Sequence, residues 1–145
     1  MHDINAVVNV KSTNPGGGTI TATMSRLEQN NNGGIWEVTS VATAGMSITA
    51  PHDRDRLTSP VTVTGTGNAF EGKIGKVIIL DHLYTNIGRS GANGAIGNGS
   101  TTFSSSVTYN STFKTGIQEG VVVLYSYSNA DGSIAGAVMV KEMLS

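Results

Sequence analysis

An all-β fold of packed antiparallel strands is what this sequence predicts, and three observations predict it. Apolar and polar residues alternate with period two along most of the chain, and clusters of Gly, Asn and Asp punctuate the alternating runs. No stretch repeats its apolar residues convincingly at the three- and four-residue spacing of a helix, and the 19 glycines and many β-branched residues oppose one.

Taken in chain order, Ile4, Ala6, Val8 and Val10 alternate with Asn5 and Asn9, and the run ends in the turn cluster NPGGG. Ile20, Ala22 and Met24 alternate with Thr19, Thr21, Thr23 and Ser25 before QNNNGG at 29 to 34. Trp36 and Val38 then face one way while Glu37 and Thr39 face the other. Three strands joined by two Gly-rich turns make an antiparallel meander over 1–42, with Trp36 expected in its core. From 41 to 60 the alternation weakens and Pro51 and Pro60 intervene, so a domain boundary is expected near 43 to 46. On this reading 1–42 is the remnant of an upstream domain and 46–145 a domain of its own.

The second region opens with VTVTG at 61 to 65, and the β-branched cluster Val77, Ile78, Ile79, Leu80 reads as a central strand buried on both faces. Phe103, Ser105, Val107 and Tyr109 mark a half-buried strand. EGVVVLYSYS and AGAVMVKEML flank NADGS, an Asp-Gly turn suited to a hairpin because those residues tolerate positive φ. About seven short strands in about 100 residues is the pattern of an immunoglobulin-like sandwich. The segment 85–101 is expected to be a long connecting loop, beyond the roughly 12 to 15 residues that structureless connections usually reach.

Composition narrows the function. Nine basic and 10 acidic side chains give a net charge of -1 with no basic stripe, which argues against nucleic acid as a partner. With no cysteine, neither a disulfide framework nor a thiolate metal site can form. Only 13% of residues are charged, and Ser, Thr and Asn take their place, a surface common in secreted β domains. No apolar run approaches the roughly 18 residues of a membrane span. The opening MHDINAVVNV reads as a chain entering midway through a strand, so a signal or anchor is expected upstream.

SPVTVTGTGNAFEG at 59 to 72 and SNADGS at 128 to 133, with MSITAP before them, carry a resemblance. In the order of these short motifs, residues 46–145 resemble the immunoglobulin-like domain of bacterial spore germination, a Gmad-type domain associated with GerM-like proteins. The resemblance implies an immunoglobulin-like sandwich, an extracytoplasmic location in the cell envelope or on the surface, and a binding or architectural role without catalytic residues. Residues 1–42, ending in WEVTSV, are similar to the ends of cystatin-like, NTF2-type envelope domains.

Four residues stand out as ligand-binding candidates: Phe70, Glu71, Tyr125 and Tyr127. Glu71 follows Phe70 in a predicted strand; as a lone carboxylate it lacks the second group that acid–base chemistry needs, so a structural role is favoured. Tyr125 and Tyr127 share one face of a strand, and with Tyr84 and Tyr109 they offer rings for sugar or peptide binding, against the simpler reading that they pack in the core. Asp53 and Asp55 in HDRDR lack the further oxygen ligands of a calcium site. His2, His52 and His82 show no metal spacing, and Asp81–His82 are expected to point to opposite faces of a strand. GANGAIGNGS is Gly-rich, but a phosphate cradle needs a helix N-terminus behind it, so a hairpin tip is the better reading.

No metal, cofactor or catalytic residue is therefore expected, and the chain is read as not an enzyme. It is read as an envelope or spore-associated binding module for a wall polysaccharide or a protein partner, with a purely architectural spacer as the alternative. The open edge of the meander offers a route to homodimerisation.

Overall fold

The computed structural model describes residues 4–13, 15, 17–27, 35–95, 97–128 and 130–145. Its strands, in chain order, are β1 (Ile4–Lys11), β2 (Thr19–Leu27), β3 (Ile35–Ala42), β4 (Ser47–Ala50), β5 (Arg56–Leu57), β6 (Val61–Ala69), β7 (Lys73–Leu80), β8 (Asn86–Asn93), β9 (Gly99–Val107), β10 (Gln118–Tyr127) and β11 (Ile134–Leu144). Among the described residues no helix is long and apolar enough to cross a membrane.

Two sheets form. The larger runs β1-β2-β3-β11-β10-β7-β8, with the short β5 parallel to the end of β11; the smaller runs β4-β6-β9. β6 buries Val61, Val63 and Ala69 on alternate positions, and β9 answers with Phe103 and Val107. From the larger sheet Val77, Ile79, Val122, Leu124 and Leu144 close the core between the layers. Period-two alternation on both sheets is what puts these side chains on facing surfaces. Gly65 is required where β4 crosses β6, because a Cβ there would stand 2.0 Å from the Ser47 carbonyl oxygen. The Tyr109 hydroxyl ties the far end together, donating to the Leu57 carbonyl at 2.9 Å and lying 3.2 Å from that of Ser145.

The all-β sandwich and the antiparallel meander are as the alternation predicts. β1 and β2 pair from Ile4↔Arg26 to Lys11↔Thr19, and β2 continues onto β3 with one irregularity at Thr23/Met24. The QNNNGG turn lies outside the described residues. At the other end of the meander, Val41 pairs with Met139 of β11, and the Thr43 hydroxyl donates to the Ala137 carbonyl and accepts from its amide. The larger sheet thus runs from the meander into the sandwich.

Three expectations need correction. The segment 85–101 is not a loop: β8 and the start of β9 occupy most of it, leaving only 94–98 as the connection. Its sequence, rich in Gly and Asn, has little strand propensity; pairing along β7 supplies what the side chains do not. β7 is central, as read, but only Val77 and Ile79 are fully buried, while Ile78 and Leu80 are half-buried because no second layer covers the outer face. Trp36 is not a core residue either. It is 44% exposed, with the Arg26 guanidinium 5.9 Å above its ring, because the meander is a single layer.

Candidate functional site

The tight turn that carries the chain from β6 of the smaller sheet to β7 of the larger one closes on a Phe70–Lys73 pair, with the Phe70 amide donating to the Lys73 carbonyl at 2.9 Å and the Lys73 amide returning at 3.0 Å. Between them Glu71 and Gly72 have φ of 50° and 79°, the left-handed pair that a tight two-residue hairpin requires. Glu71 is therefore a turn residue rather than a strand residue. Its amide donates to Asn98 Oδ1 at 3.0 Å, while Gly72 exchanges bonds with Gly97 and Gly94. The glycine-rich 94–98 connection is therefore not the expected hairpin tip: it joins β8 of the larger sheet to β9 of the smaller one, and its backbone is laced to the Phe70–Lys73 turn. The Glu71 carboxylate reaches no partner among the described residues and faces solvent.

This anchored tip forms one wall of a surface groove of about 220 Å³. Phe70, 51% exposed, and Tyr127, 38% exposed, both line it, with Met46 and Ile74 as its apolar floor and Asn68 and Lys73 as its polar groups. Two of the four candidates, separated by more than fifty residues in sequence, are brought to one site, whereas Glu71 is not among the residues that line it. Tyr125 is not among the lining residues; it is half-buried in the sheet opposite Ala137 and Lys76. The wider tyrosine platform does not assemble, because Tyr109 is buried in the core.

A second constellation escaped the sequence reading. Lys141 has a side chain only 4% exposed, and its ammonium donates to Glu37 of β3 and, at 3.2 Å, to Glu119 of β10. Burial works to lower its pKa, but the two carboxylates outweigh it and hold the group above the usual lysine value. Beside this triad lies a cavity of about 80 Å³ whose rim includes Asp81, His82 and Tyr84. Asp81 accepts from the Leu83 and Thr85 amides and from the Thr112 hydroxyl, the last at 2.7 Å. The Thr112 bond leads the causes that keep its carboxyl below the ordinary range. His82 packs its ring 4.9 Å from that of Phe113 and meets Gln118 Oε1 through Nδ1 at 2.8 Å. Asp81 and His82 lie in the turn after β7 rather than on opposite faces of a strand. The signal that marks Lys141 was in the sequence: a Lys-Glu pair inside the apolar run VMVKEML.

Glu142 points the other way from Lys141 and is fully buried, with neither carboxylate oxygen hydrogen-bonded. Burial first, and then the charges of Asp55 and Asp53, push its pKa to about 8 against a partial offset from the Asp55 amide. The HDRDR loop that brings those aspartates near is latched to β11 by the Arg54 amide, which donates to the Lys141 carbonyl at 2.6 Å. Within the loop, Asp55 pairs with the His52 amide and ring, and Asp53 with Arg54. Among the described residues no group of three or more His, Asp or Glu side chains is placed to hold a metal ion.

Compared with known proteins, residues 46–133 match a family model described as the immunoglobulin-like domain of bacterial spore germination. No curated protein and no solved structure matches the chain. The matched span includes the whole groove except Thr43, Ala44 and Ala135, whereas Glu37, Lys141, Glu142 and the strands of the meander lie outside it.

Proposed function

The chain belongs to the immunoglobulin-like domains of bacterial spore germination, and from that premise we propose that it is a non-catalytic module of the cell envelope that binds a wall polysaccharide through the Phe70–Tyr127 groove. The observation that carries the reading is the convergence of two exposed aromatic rings, those of Phe70 and Tyr127, with Asn68 and Lys73 on one groove, beside a tight turn whose backbone is bonded to the 94–98 connection. Aromatic faces pack against the C–H faces of sugar rings, and the flanking amide of Asn68 and ammonium of Lys73 match their hydroxyls. Sites held on rigid turns lose less entropy on binding than sites on loose loops. The low-charge, hydroxyl-rich surface and the family's association with spore germination support an extracytoplasmic setting. A protein partner at the same groove, or a spacer role with no ligand, are the readings against which this one is tested.

The test is co-sedimentation of the full chain with purified bacterial cell-wall polysaccharide at low and high salt, alongside Phe70→Ala and Tyr127→Ala variants. Binding that survives high salt and falls at least tenfold in both variants supports the groove. Equal binding by wild type and variants would move recognition elsewhere. No binding at all would leave the spacer as the better account.

A further inference from the structure

We propose that β1 is a homodimerisation edge, through which two copies of this chain join their larger sheets into one continuous sheet. β1 ends the sheet order, and among the described residues no strand pairs with its outer side. The other end, β8, is partly covered where Gly88 bridges Tyr109, and β4 is four residues long and runs into Pro51. β1 has none of these protections. Eight residues long, it carries one charge, Lys11, at its very end, and no proline or bulge interrupts it. Val7, Val8 and Val10 are 66%, 41% and 48% exposed, so apolar surface is open on both faces.

A row of unpaired backbone groups selects an extended strand as its occupant, and the pattern of side chains selects another β1. A two-fold axis perpendicular to the sheet keeps each residue on its own face, so it pairs only residues whose numbers sum to an even value. With the axis through Val7, Val7 meets its own copy, Ala6 meets Val8, and Asn5 meets Asn9. Apolar pairs with apolar and amide with amide, and Lys11 falls outside the matched pairs. The asparagines are already oriented for this: Asn9 Oδ1 accepts from Thr21 at 2.9 Å and Asn5 Oδ1 from Ser25 at 2.7 Å. Their amide N–H groups, which reach no partner among the described residues, are the donors an opposing asparagine needs. Moving the axis to Val8 would instead set Val7 against Asn9 and Asn5 against Lys11, which loses both matches.

Sedimentation equilibrium of the full chain from 1 to 200 µM tests this, joined to hydrogen exchange read peptide by peptide at both ends of that range. The expected result is a species of twice the 15.0 kDa chain mass at high concentration, with exchange of the 4–11 amides slowed at least tenfold relative to low concentration. Val7→Lys is expected to return the chain to monomer with an unchanged circular dichroism spectrum. Because Val7 is exposed and its loss leaves the core intact, Val7→Thr, which preserves strand propensity without charge, should still dimerise. A monomer throughout, or a dimer in which the 4–11 amides exchange equally fast at both concentrations, would overturn the proposal.

Discussion

Lys141 and Glu142 are adjacent in β11 and electrostatically opposite: the ammonium of Lys141 is held by carboxylates from two neighbouring strands, while the carboxylate of Glu142 is buried without a hydrogen bond. Alternation along the strand sends the first to the outer side of the larger sheet and the second to the side covered by the 51–56 loop. One strand therefore carries a satisfied buried charge and a buried carboxyl group that keeps its proton, and each makes a measurable prediction.

Glu142 governs stability between mild acid and mild alkali. Its folded pKa, about 8, lies above its unfolded value, so the native state holds a proton that the unfolded chain releases. This group's contribution to stability is therefore complete below the ordinary glutamate value and is lost as pH rises through about 8, by on the order of 5 kcal/mol. Glu142→Gln is expected to flatten that decline, raising the melting temperature at pH 9 much more than at pH 5. Parallel profiles for the two proteins would refute the assignment.

Removing the partners of Lys141 is expected to cost more than removing Lys141. Glu37→Gln with Glu119→Gln leaves a buried ammonium uncompensated, worth about 3 kcal/mol, whereas Lys141→Met replaces it with an apolar chain and leaves two half-exposed carboxylates that water can serve, for less than about 1 kcal/mol. Urea unfolding at neutral pH separates the two. The lysine's raised pKa adds an alkaline signature: its contribution is complete below the unfolded lysine value and is lost as pH climbs through the raised folded one, a step absent from Lys141→Met.

Asp81 sets the acid limit of the turn between β7 and β8. The Thr112 hydroxyl, then the Thr85 and Leu83 amides, stabilise its ionised form and lower its pKa, so its contribution is present above the ordinary aspartate value and disappears as pH falls through the depressed one. Asp81→Asn is expected to be less stable than wild type at pH 6 and to lose less on going to pH 2. Thermal melts across that range check it, and an unchanged acid limb would contradict it.

Tyr109→Phe isolates the hydroxyl that binds the Leu57 and Ser145 carbonyls. Its ring packing is retained and the Leu57 carbonyl still accepts from the Ser145 amide and hydroxyl, so the expected cost is about 1 kcal/mol, the value of one typical buried hydrogen bond. Hydrogen exchange in 56–59 and near the end of β11 should rise with it.

Much of this architecture was legible along the chain. Val61 and Val63, Phe103 and Val107, and Val122 and Leu124 sit on the core side because side chains alternate on strands, and a window of six residues is enough to read that. The Asp-Gly pair of NADGS marked the β10–β11 hairpin tip for an equally local reason, its tolerance of positive φ, whereas Glu71, read as a strand residue, holds a turn whose φ of 50° its residue type does not announce. Phe70 and Tyr127 could be nominated from their surroundings but not joined, since only the packing of β6–β7 against the end of β10 puts both on one groove.

What the sequence by itself determined, then, is the set of strands with clear alternation, their inward faces and their tight turns, all consequences of short-range geometry. The tertiary structure alone decided the rest. It made a strand of the weakly patterned 86–93, because backbone pairing with β7 does not depend on side-chain propensity. It left Trp36 at the surface, because burial requires a second layer that the meander lacks. And it gave the neighbouring charges of Lys141 and Glu142 opposite fates, because the energy of a charge depends on which distant strands and loops come to lie against it.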